Sequence, residues 1–363
     1  MGSVSLGFDV NGKRIRKVVY GKTQKEVNEK LDNLKQQRKH GAQSIVGTDT
    51  VTAYLQRWLD NDVEVNSEDK TYQEYEGAVR RYVTPFIGHI KLTKLGGEQL
   101  LAWQATLKRK KFTANMRHRS IKVLNVALNR AVKLRLIPFN PCNVLVKPKL
   151  ARKEVIPLEP GVCHALFEAC QEHRLGDVMI LGAMTGLRKG ELFALHWNAV
   201  NLDEGVLVVR KTLQEIRGRK LKDPKTHAGK RVISLDPVAV AALRSRLKKA
   251  QDEGFDPAQV PIVFANIRGG YLRGSNFDRN VWYPIREKVG IAETFVFHDL
   301  RHTQASLMLA AGVDLKVIQK RLGHRDFATT ANTYSHLLQG AQGAAVKKMA
   351  AMMRKTAPKP KGE

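Results

Sequence analysis

The sequence predicts a multidomain protein with three structural segments: a small β-ribbon followed by a helix, an all-α domain, and a mixed α/β, mainly α, domain. Three observations predict this. The chain has 363 residues, more than one hydrophobic core normally holds. Strand-like runs at the start give way to a 3.6-residue apolar periodicity, and strands return only near Val206. Linker-like stretches separate the segments, so we expect domains at residues 1–45, 48–145 and 154–363.

The β-ribbon is predicted by two short strands around a turn. Ser5–Asp9 and Arg14–Tyr20 flank Asn11-Gly12, a dipeptide typical of tight hairpins. A helix is expected to begin at Thr23, because Glu26 stands three residues further on, as in a capping box.

Four amphipathic helices are predicted in the all-α segment. The first has apolar residues from Val51 to Leu59 at helical spacing. Pro85 is expected to end the second, and Leu100, Leu101 and Trp103 to anchor the third. The fourth, from Thr113 to Leu134, is basic. In it, the spacing places four residues on the core side: Ile121, Leu124, Leu128 and Ala131.

Net charge points to a polyanionic partner. Lys and Arg number 62 against 34 Asp and Glu, a formal charge of +28, which favours nucleic acid. The charge is clustered: residues 51–104 carry 6 basic and 8 acidic residues, whereas 105–155 carry 14 basic and one acidic residue. We expect phosphate contacts from eight of these side chains: Arg117, Arg119, Lys122, Arg130, Lys147, Lys149, Arg152 and Lys153.

Other classes of protein are disfavoured by the sequence. No apolar run is long enough to span a bilayer and no signal-peptide pattern opens the chain, so a cytoplasmic protein with no membrane partner is expected. Cys142, Cys163 and Cys170 lack the spacing of disulfide frameworks or metal sites, and we expect them to be small buried side chains.

Six residues could together act on a phosphodiester. Cleaving a DNA strand without metal needs a nucleophile, cations on the non-bridging oxygens and a proton for the leaving oxygen. The candidates are Arg188, Lys225, His298, Arg301, His324 and Tyr334. Arg188 lies in a turn that opens a helix, where backbone N–H groups also favour an anion.

Each candidate also has an ordinary explanation when taken alone. Arg188 could be a helix-capping arginine paired with Glu191, and Lys225 one of many exposed lysines. The histidines could be structural and Tyr334 an interface aromatic. Taken alone, the residues indicate a basic, multidomain, DNA-binding protein, and their sequence positions do not show whether these side chains meet in space.

Five short motifs in order resemble the signature of tyrosine recombinases, the enzymes that include phage and conjugative-transposon integrases. They are Thr185–Leu192 (TGLRKGEL), Pro224–Thr226 (PKT), His298–Thr303 (HDLRHT), Leu322–His324 (LGH) and Thr333–Tyr334 (TY). The resemblance implies a tyrosine recombinase catalytic domain in residues 154–363, a core-binding domain in 48–145 and an arm-binding domain in 1–45. The family's arm-binding sheet has three strands, so we expect the N-terminal segment to be incomplete, with one strand missing.

The resemblance also implies a role for each candidate. Tyr334 would form a 3′-phosphotyrosyl bond, and Arg188 and Arg301 would hold the scissile phosphate. His324 would donate to a phosphate oxygen, and His298 would be a base or a second phosphate ligand. Lys225 would be the general acid and Glu191 would support Arg188, with no metal or other cofactor.

The implied function is site-specific integration or excision of a phage genome or mobile element. The expected partners are double-stranded DNA at core and arm attachment sites, a homotetramer in the synaptic complex, and a directionality factor. The tail after Gln339, with a predicted helix at Ala341–Met353, would either pack onto a neighbouring subunit or be disordered. Two alternatives stay open, a type IB-like topoisomerase and a non-catalytic DNA-binding regulator.

Overall fold

The computed structural model divides the chain into two compact units, Met1–Arg152 and Lys153–Glu363. It describes residues 1–8, 14–21, 23–39, 49–150, 156–215, 218–223 and 229–324, together with 326, 327, 331, 346 and 349–351. Most of the tail helix predicted at Ala341–Met353 lies outside these residues.

The N-terminal segment is an antiparallel ribbon with one helix. Strand β1 (Gly2–Phe8) pairs with β2 (Arg14–Val19), and helix α1 spans Gln24–Lys39. The predicted ribbon is confirmed, although the expected Asn11-Gly12 turn lies outside the described residues. The Glu26 N–H donates to the Thr23 hydroxyl at 3.2 Å, as the capping signal predicts.

The rest of the first unit is helical. Its α-helices are α2 (Val51–Trp58), α3 (Glu64–Asn66), α4 (Asp69–Ala78), α5 (Thr84–Ile87), α6 (Gly97–Arg109) and α7 (Ala114–Lys133). The core residues predicted on α7, from Ile121 to Ala131, are at most 1% exposed. Thr113 caps this helix by accepting from the Met116 N–H.

Two expectations about these helices are wrong. Pro85 does not end the second helix, because a π-helical turn, Val79–Val83, joins α4 to α5. That turn shifts the hydrogen-bond register and leaves Pro85 in the first turn of α5, where a missing N–H is tolerated. Leu101 is 49% exposed and does not anchor α6, since the buried face is set by Leu100 and Trp103 at i, i+3 spacing.

The second unit is mixed α/β and mainly helical. Its helices are α8 (Pro160–Gln171), α9 (Asp177–Thr185), α10 (Lys189–Phe193), α11 (Pro237–Asp252), α12 (Gly274–Phe277), α13 (Tyr283–Lys288), α14 (Asp299–Ala310) and α15 (Leu315–Leu322). Its strands are β3 (Val200–Asn201), β4 (Val206–Val209), β5 (Thr212–Glu215), β6 (Arg219–Lys222) and β7 (Arg231–Ser234). Asp236 caps α11 as expected, accepting from two backbone N–H groups.

The strands form two small antiparallel sheets. Strand order β3-β4-β7 makes the first, in which Val209 pairs with Arg231, so the expected pairing of these two segments is confirmed. The second is the hairpin β5-β6, which lies in the segment the sequence predicted only as polar and basic. Its pattern is hard to recognise because β6, Arg219–Lys222, has three exposed residues of four.

Helix α9 lies at the centre of the second unit. It is apolar on nearly all faces, and eight of its nine residues are buried, as expected for a helix surrounded by others. Its buried Asp177 is paired with Lys249 at 2.9 Å. Across the described part of the chain, no helix has both the length and the apolar character needed to cross a membrane.

Candidate active site

Three helix ends converge in the second unit. Helix α10 begins after Arg188, α14 begins after His298, and α15 ends just before Gly323-His324. Two turns at this site depend on glycine. Gly186, which ends α9 directly before Arg188, and Gly323, which ends α15, both have φ +67°, in the left-handed region. The motif positions are therefore placed by helix termini, which leave backbone groups available for capping.

Arg301 joins two of these turns. Its residue is 2% exposed, and its guanidinium donates to the Gly186 carbonyl at 2.6 Å and the Leu322 carbonyl at 2.5 Å. A buried guanidinium needs such acceptors, because its charge cannot be removed by deprotonation. Arg301 thus fixes the relative positions of the Gly186 turn and the end of α15.

Arg188 is held by Glu191. Glu191 Oε2 accepts from the Arg188 backbone N–H at 2.9 Å, and Oε1 accepts from Arg188 Nη1 at 3.0 Å. Arg188 Nη2 also donates to the Gly323 carbonyl at 3.4 Å. The Arg188 side chain is 40% exposed whereas Glu191 is 3% exposed, so the arginine reaches the surface from a buried carboxylate.

Sequence reasoning missed a second partner of Glu191. Arg231 donates to both carboxylate oxygens, at 3.1 and 2.9 Å, and is 7% exposed. Burial is the largest influence on the pKa of Glu191 and raises it, but Arg231 and then Arg188 outweigh burial and hold that pKa below its usual value. The missed signal is strand alternation, which places Arg231 on the same face as the buried Ile233.

His298 and His324 lie in the same electrostatic environment. Burial, followed by the positive charge of Arg301, lowers the pKa of each ring to about 4. Arg188 and His302 lower the pKa of both further. Although His298 is still exposed at the surface, the surrounding cations favour a neutral ring at pH 7.

His302 belongs to the same surroundings although it is not one of the six candidate residues. Its ring meets that of His298 edge to face, with centroids 5.4 Å apart. By contrast His196 is bound elsewhere, its Nε2 lying 2.8 Å from the Tyr271 hydroxyl. Among the described residues, no cluster of three or more His, Cys, Asp or Glu side chains could hold a metal ion. The three cysteines are free and buried.

The structure therefore brings together five of the predicted site residues: Arg188, Glu191, His298, Arg301 and His324. Lys225 and Tyr334 lie outside the described residues.

The predicted phosphate-contact residues differ in their surroundings. Arg119, Lys122, Lys147 and Lys149 are exposed, whereas Arg152 and Lys153 lie outside the described residues. Arg117 donates to the Phe112 carbonyl. Arg130 is paired with Asp62 at 2.7 Å, which neutralises part of its charge.

Comparison with known proteins identifies the family. The sequence profile of the "Phage integrase family" matches residues 158–340, and that of the "Phage integrase, N-terminal SAM-like domain" matches residues 50–108. The chain belongs to the phage integrase family, and it is a tyrosine recombinase, a site-specific DNA recombinase.

Three similar proteins illustrate the relationship. A "Tyrosine recombinase XerC-like" protein of Caldanaerobacter subterraneus subsp. tengcongensis is 26% identical over 93% of this chain and 92% of its own length. The integrase of Mycobacterium phage L5 is 30% identical over 76% of this chain and 72% of its own. The fold is similar to that of the Tn1549 transposon integrase solved with a circular intermediate DNA, with a TM-score of 0.70, 19% identity, and coverage of 83% of this chain and all of that one. These relatives give no support to the topoisomerase alternative.

Proposed function

We propose that this recombinase cleaves and rejoins DNA through a covalent bond between Tyr334 and a 3′ phosphate, and so integrates or excises a phage genome or mobile element. The observation that carries the proposal is the meeting of Arg188, Arg301, His298 and His324 at three helix ends. This arrangement concentrates positive charge and N–H donors at one place, which suits a phosphodiester and its more highly charged transition state.

The roles divide between fixed charge and neutral donors. Arg188 and Arg301 are always charged, and Arg188 reaches the surface, where it can bind the non-bridging oxygens. With pKa values lowered to about 4, His298 and His324 are neutral at pH 7. A neutral imidazole offers one N–H donor and one acceptor. His324 would donate to a phosphate oxygen, and His298 would accept the phenol proton or bind the phosphate.

The reaction exchanges one ester for another. The Tyr334 oxygen forms a bond to phosphorus, the bond from phosphorus to the 5′ oxygen breaks, and Lys225 gives that oxygen a proton. In the reverse direction a 5′ hydroxyl attacks the phosphotyrosine and releases Tyr334, so no external energy source is consumed. This assignment of roles follows from the family to which the chain belongs.

The other segments are proposed to bind DNA around the cleavage site. Residues 48–145 would contact the core site through the basic side chains of α7 and the following linker, and residues 1–45 would contact arm sites. Exposed Arg119 and Lys122 suit phosphate contact, whereas Arg130 would first have to leave Asp62.

A homotetramer is proposed for strand exchange. Two duplexes contain four strands to be cut, and one chain supplies one Tyr334, so four protomers complete the reaction. A directionality factor would then bias integration against excision, in the cytoplasm of a bacterial host.

Trapping the covalent adduct tests the proposal. Purified protein is incubated with genomic DNA of its source organism and denatured in detergent, after which protein-linked DNA is recovered and sequenced. We expect one dominant cleavage site, a 3′ end resistant to 3′→5′ exonuclease, and a DNA-bearing peptide that contains Tyr334.

Matched tyrosine variants make the test specific. Tyr334→Phe should bind the recovered site with unchanged affinity and form no adduct. Tyr283→Phe, a control at a tyrosine 46% exposed on α13, should form adduct at the wild-type rate. An adduct that persists in Tyr334→Phe, or that maps to another residue, would overturn the assignment.

A further inference from the structure

Arg231 connects three segments of the candidate active site. Arg231 lies on strand β7 and donates hydrogen bonds to both carboxylate oxygens of Glu191. Its Nε donates to the Arg321 carbonyl near the end of α15, at 2.6 Å. It also donates to the Gly229 carbonyl at 3.1 Å. A planar guanidinium can satisfy all of these acceptors at once, whereas a lysine ammonium cannot match that geometry.

Three arginines bind three successive carbonyls at the end of α15. Arg231 binds the carbonyl of Arg321, Arg301 that of Leu322, and Arg188 that of Gly323. These carbonyls lie at a helix C-terminus, where acceptors have no partner within the helix and the dipole favours cations. The residue that follows is His324, so the three arginines hold the stretch of backbone directly before it.

Arg231 also acts on Arg188 through Glu191. The carboxylate is 3% exposed and is shared, Oε1 and Oε2 each accepting from both Arg188 and Arg231. Without Arg231, Glu191 would be held only by its two hydrogen bonds from Arg188, so the direction of the Arg188 guanidinium would be less firmly fixed. All three guanidinium nitrogens of Arg231 already donate within the protein, to Glu191 and to the carbonyls of Arg321 and Gly229.

We propose that Arg231 is a positioning residue for strand cleavage, which orients Arg188 through Glu191 and His324 through the end of α15. This inference rests on the proposed function, because it concerns the same reaction. Strand β7 would then contribute a positioning side chain in addition to its pairing with β4.

Single-turnover cleavage of a nicked duplex that carries the mapped site tests the proposal. Arg231→Lys should slow adduct formation by about 100-fold, as small misplacements of catalytic groups do. Its dissociation constant for the duplex should stay within about threefold of wild type, because most phosphate contacts are untouched.

The pH profile distinguishes positioning from simple destabilisation. In wild type the pKa of Glu191 is held low chiefly by Arg231 acting against burial. With lysine at position 231 that pKa should rise, so cleavage should gain an acid limb at higher pH than any in wild type. Adding Glu191→Gln should remove this limb and slow cleavage little further, because both changes act through one carboxylate.

A second buried arginine provides the control. Arg246 is fully buried, binds both oxygens of Glu253 and donates to the Arg174 carbonyl, and neither partner belongs to the three helix ends. Arg246→Lys should lower the melting temperature but cleave at the wild-type rate when assayed below that temperature.

Two results would overturn the proposal: wild-type cleavage by Arg231→Lys, or losses in both lysine variants that match their unfolded fractions. Either is distinguishable from failure of the proposed function, in which wild type itself forms no adduct or Tyr334→Phe still forms one.

Discussion

At the scale of single residues, the site combines permanent cations with histidines that the same cations keep neutral. Burial is the largest cause of the lowered pKa of His298 and of His324, and the positive charge of Arg301 is the second largest. This arrangement gives the free enzyme fixed positive charge from arginine and neutral N–H donors from histidine. A phosphate placed among them would meet both kinds of group.

These histidines should make the free protein sensitive to acid. Their pKa is about 4 in the fold, below the ordinary value of 6.5. The unfolded chain therefore takes up more protons between pH 6.5 and 4, and the free energy of unfolding falls as pH falls through that window. We expect urea denaturation to show a smaller loss between pH 7 and 5 for His324→Asn than for wild type.

The control for this prediction is a histidine outside the site. His164→Asn, at an exposed position on α8, should keep the wild-type loss of unfolding free energy between the two pH values. Equal pH dependence in wild type and His324→Asn would show that His324 does not resist protonation in the fold.

At the scale of elements, the site depends on two left-handed turns. A Cβ added at Gly186 would lie 2.8 Å from Leu322 Cδ2 and 2.9 Å from Gln304 Oε1, with φ at +67°. Gly186→Ala should therefore lose about 2–4 kcal/mol of unfolding free energy, from left-handed backbone strain and overpacking together. Because Arg301 binds the Gly186 carbonyl, cleavage should slow as well.

Gly161 offers a matched comparison within helix α8. A Cβ there meets no heavy atom within 4 Å, so Gly161→Ala should be neutral or stabilising by up to about 1 kcal/mol. Chemical denaturation of both variants checks the pair. Similar unfolding free energies for the two alanine variants would contradict the importance assigned to the Gly186 turn.

Element-level prediction from the sequence worked where the pattern was local. The cap at Asp236 and the core face of α7 follow from spacing alone, and the structure confirms them. The exposed strand β6 and the passage of the helix through Pro85 did not follow, since one lacks an apolar face and the other depends on a π-helical turn.

The site shows a similar division. Motif spacing identified Arg188 and Arg301, but Arg231 lies in none of the five motifs. Its role becomes visible only from its contact with Glu191, forty residues away in sequence. Pairing a strand arginine with a buried helix acid needs the tertiary fold. The combined action of three arginines on the end of α15 could not be read from any one segment.

At the scale of the whole molecule, the clustered positive charge should govern binding to DNA. Residues 105–155 carry 14 basic side chains against one acid, and neutralising phosphates releases counterions. Arg119→Gln with Lys122→Gln, both exposed on α7, should weaken binding to all sequences alike. The slope of log affinity against log salt should become shallower by about 1–2, as expected for the loss of one or two phosphate contacts.

The control removes the same charge from the more acidic part of the helical domain. Lys70→Gln with Lys94→Gln changes two exposed lysines outside the basic stretch, so the salt slope should stay near the wild-type value if contact is local. Fluorescence anisotropy with a labelled duplex at several salt concentrations measures both pairs. Equal slopes for the two double variants would mean that net charge, and not the α7 surface, sets the affinity. A shallower slope only for the α7 pair would place that helix against the phosphate backbone.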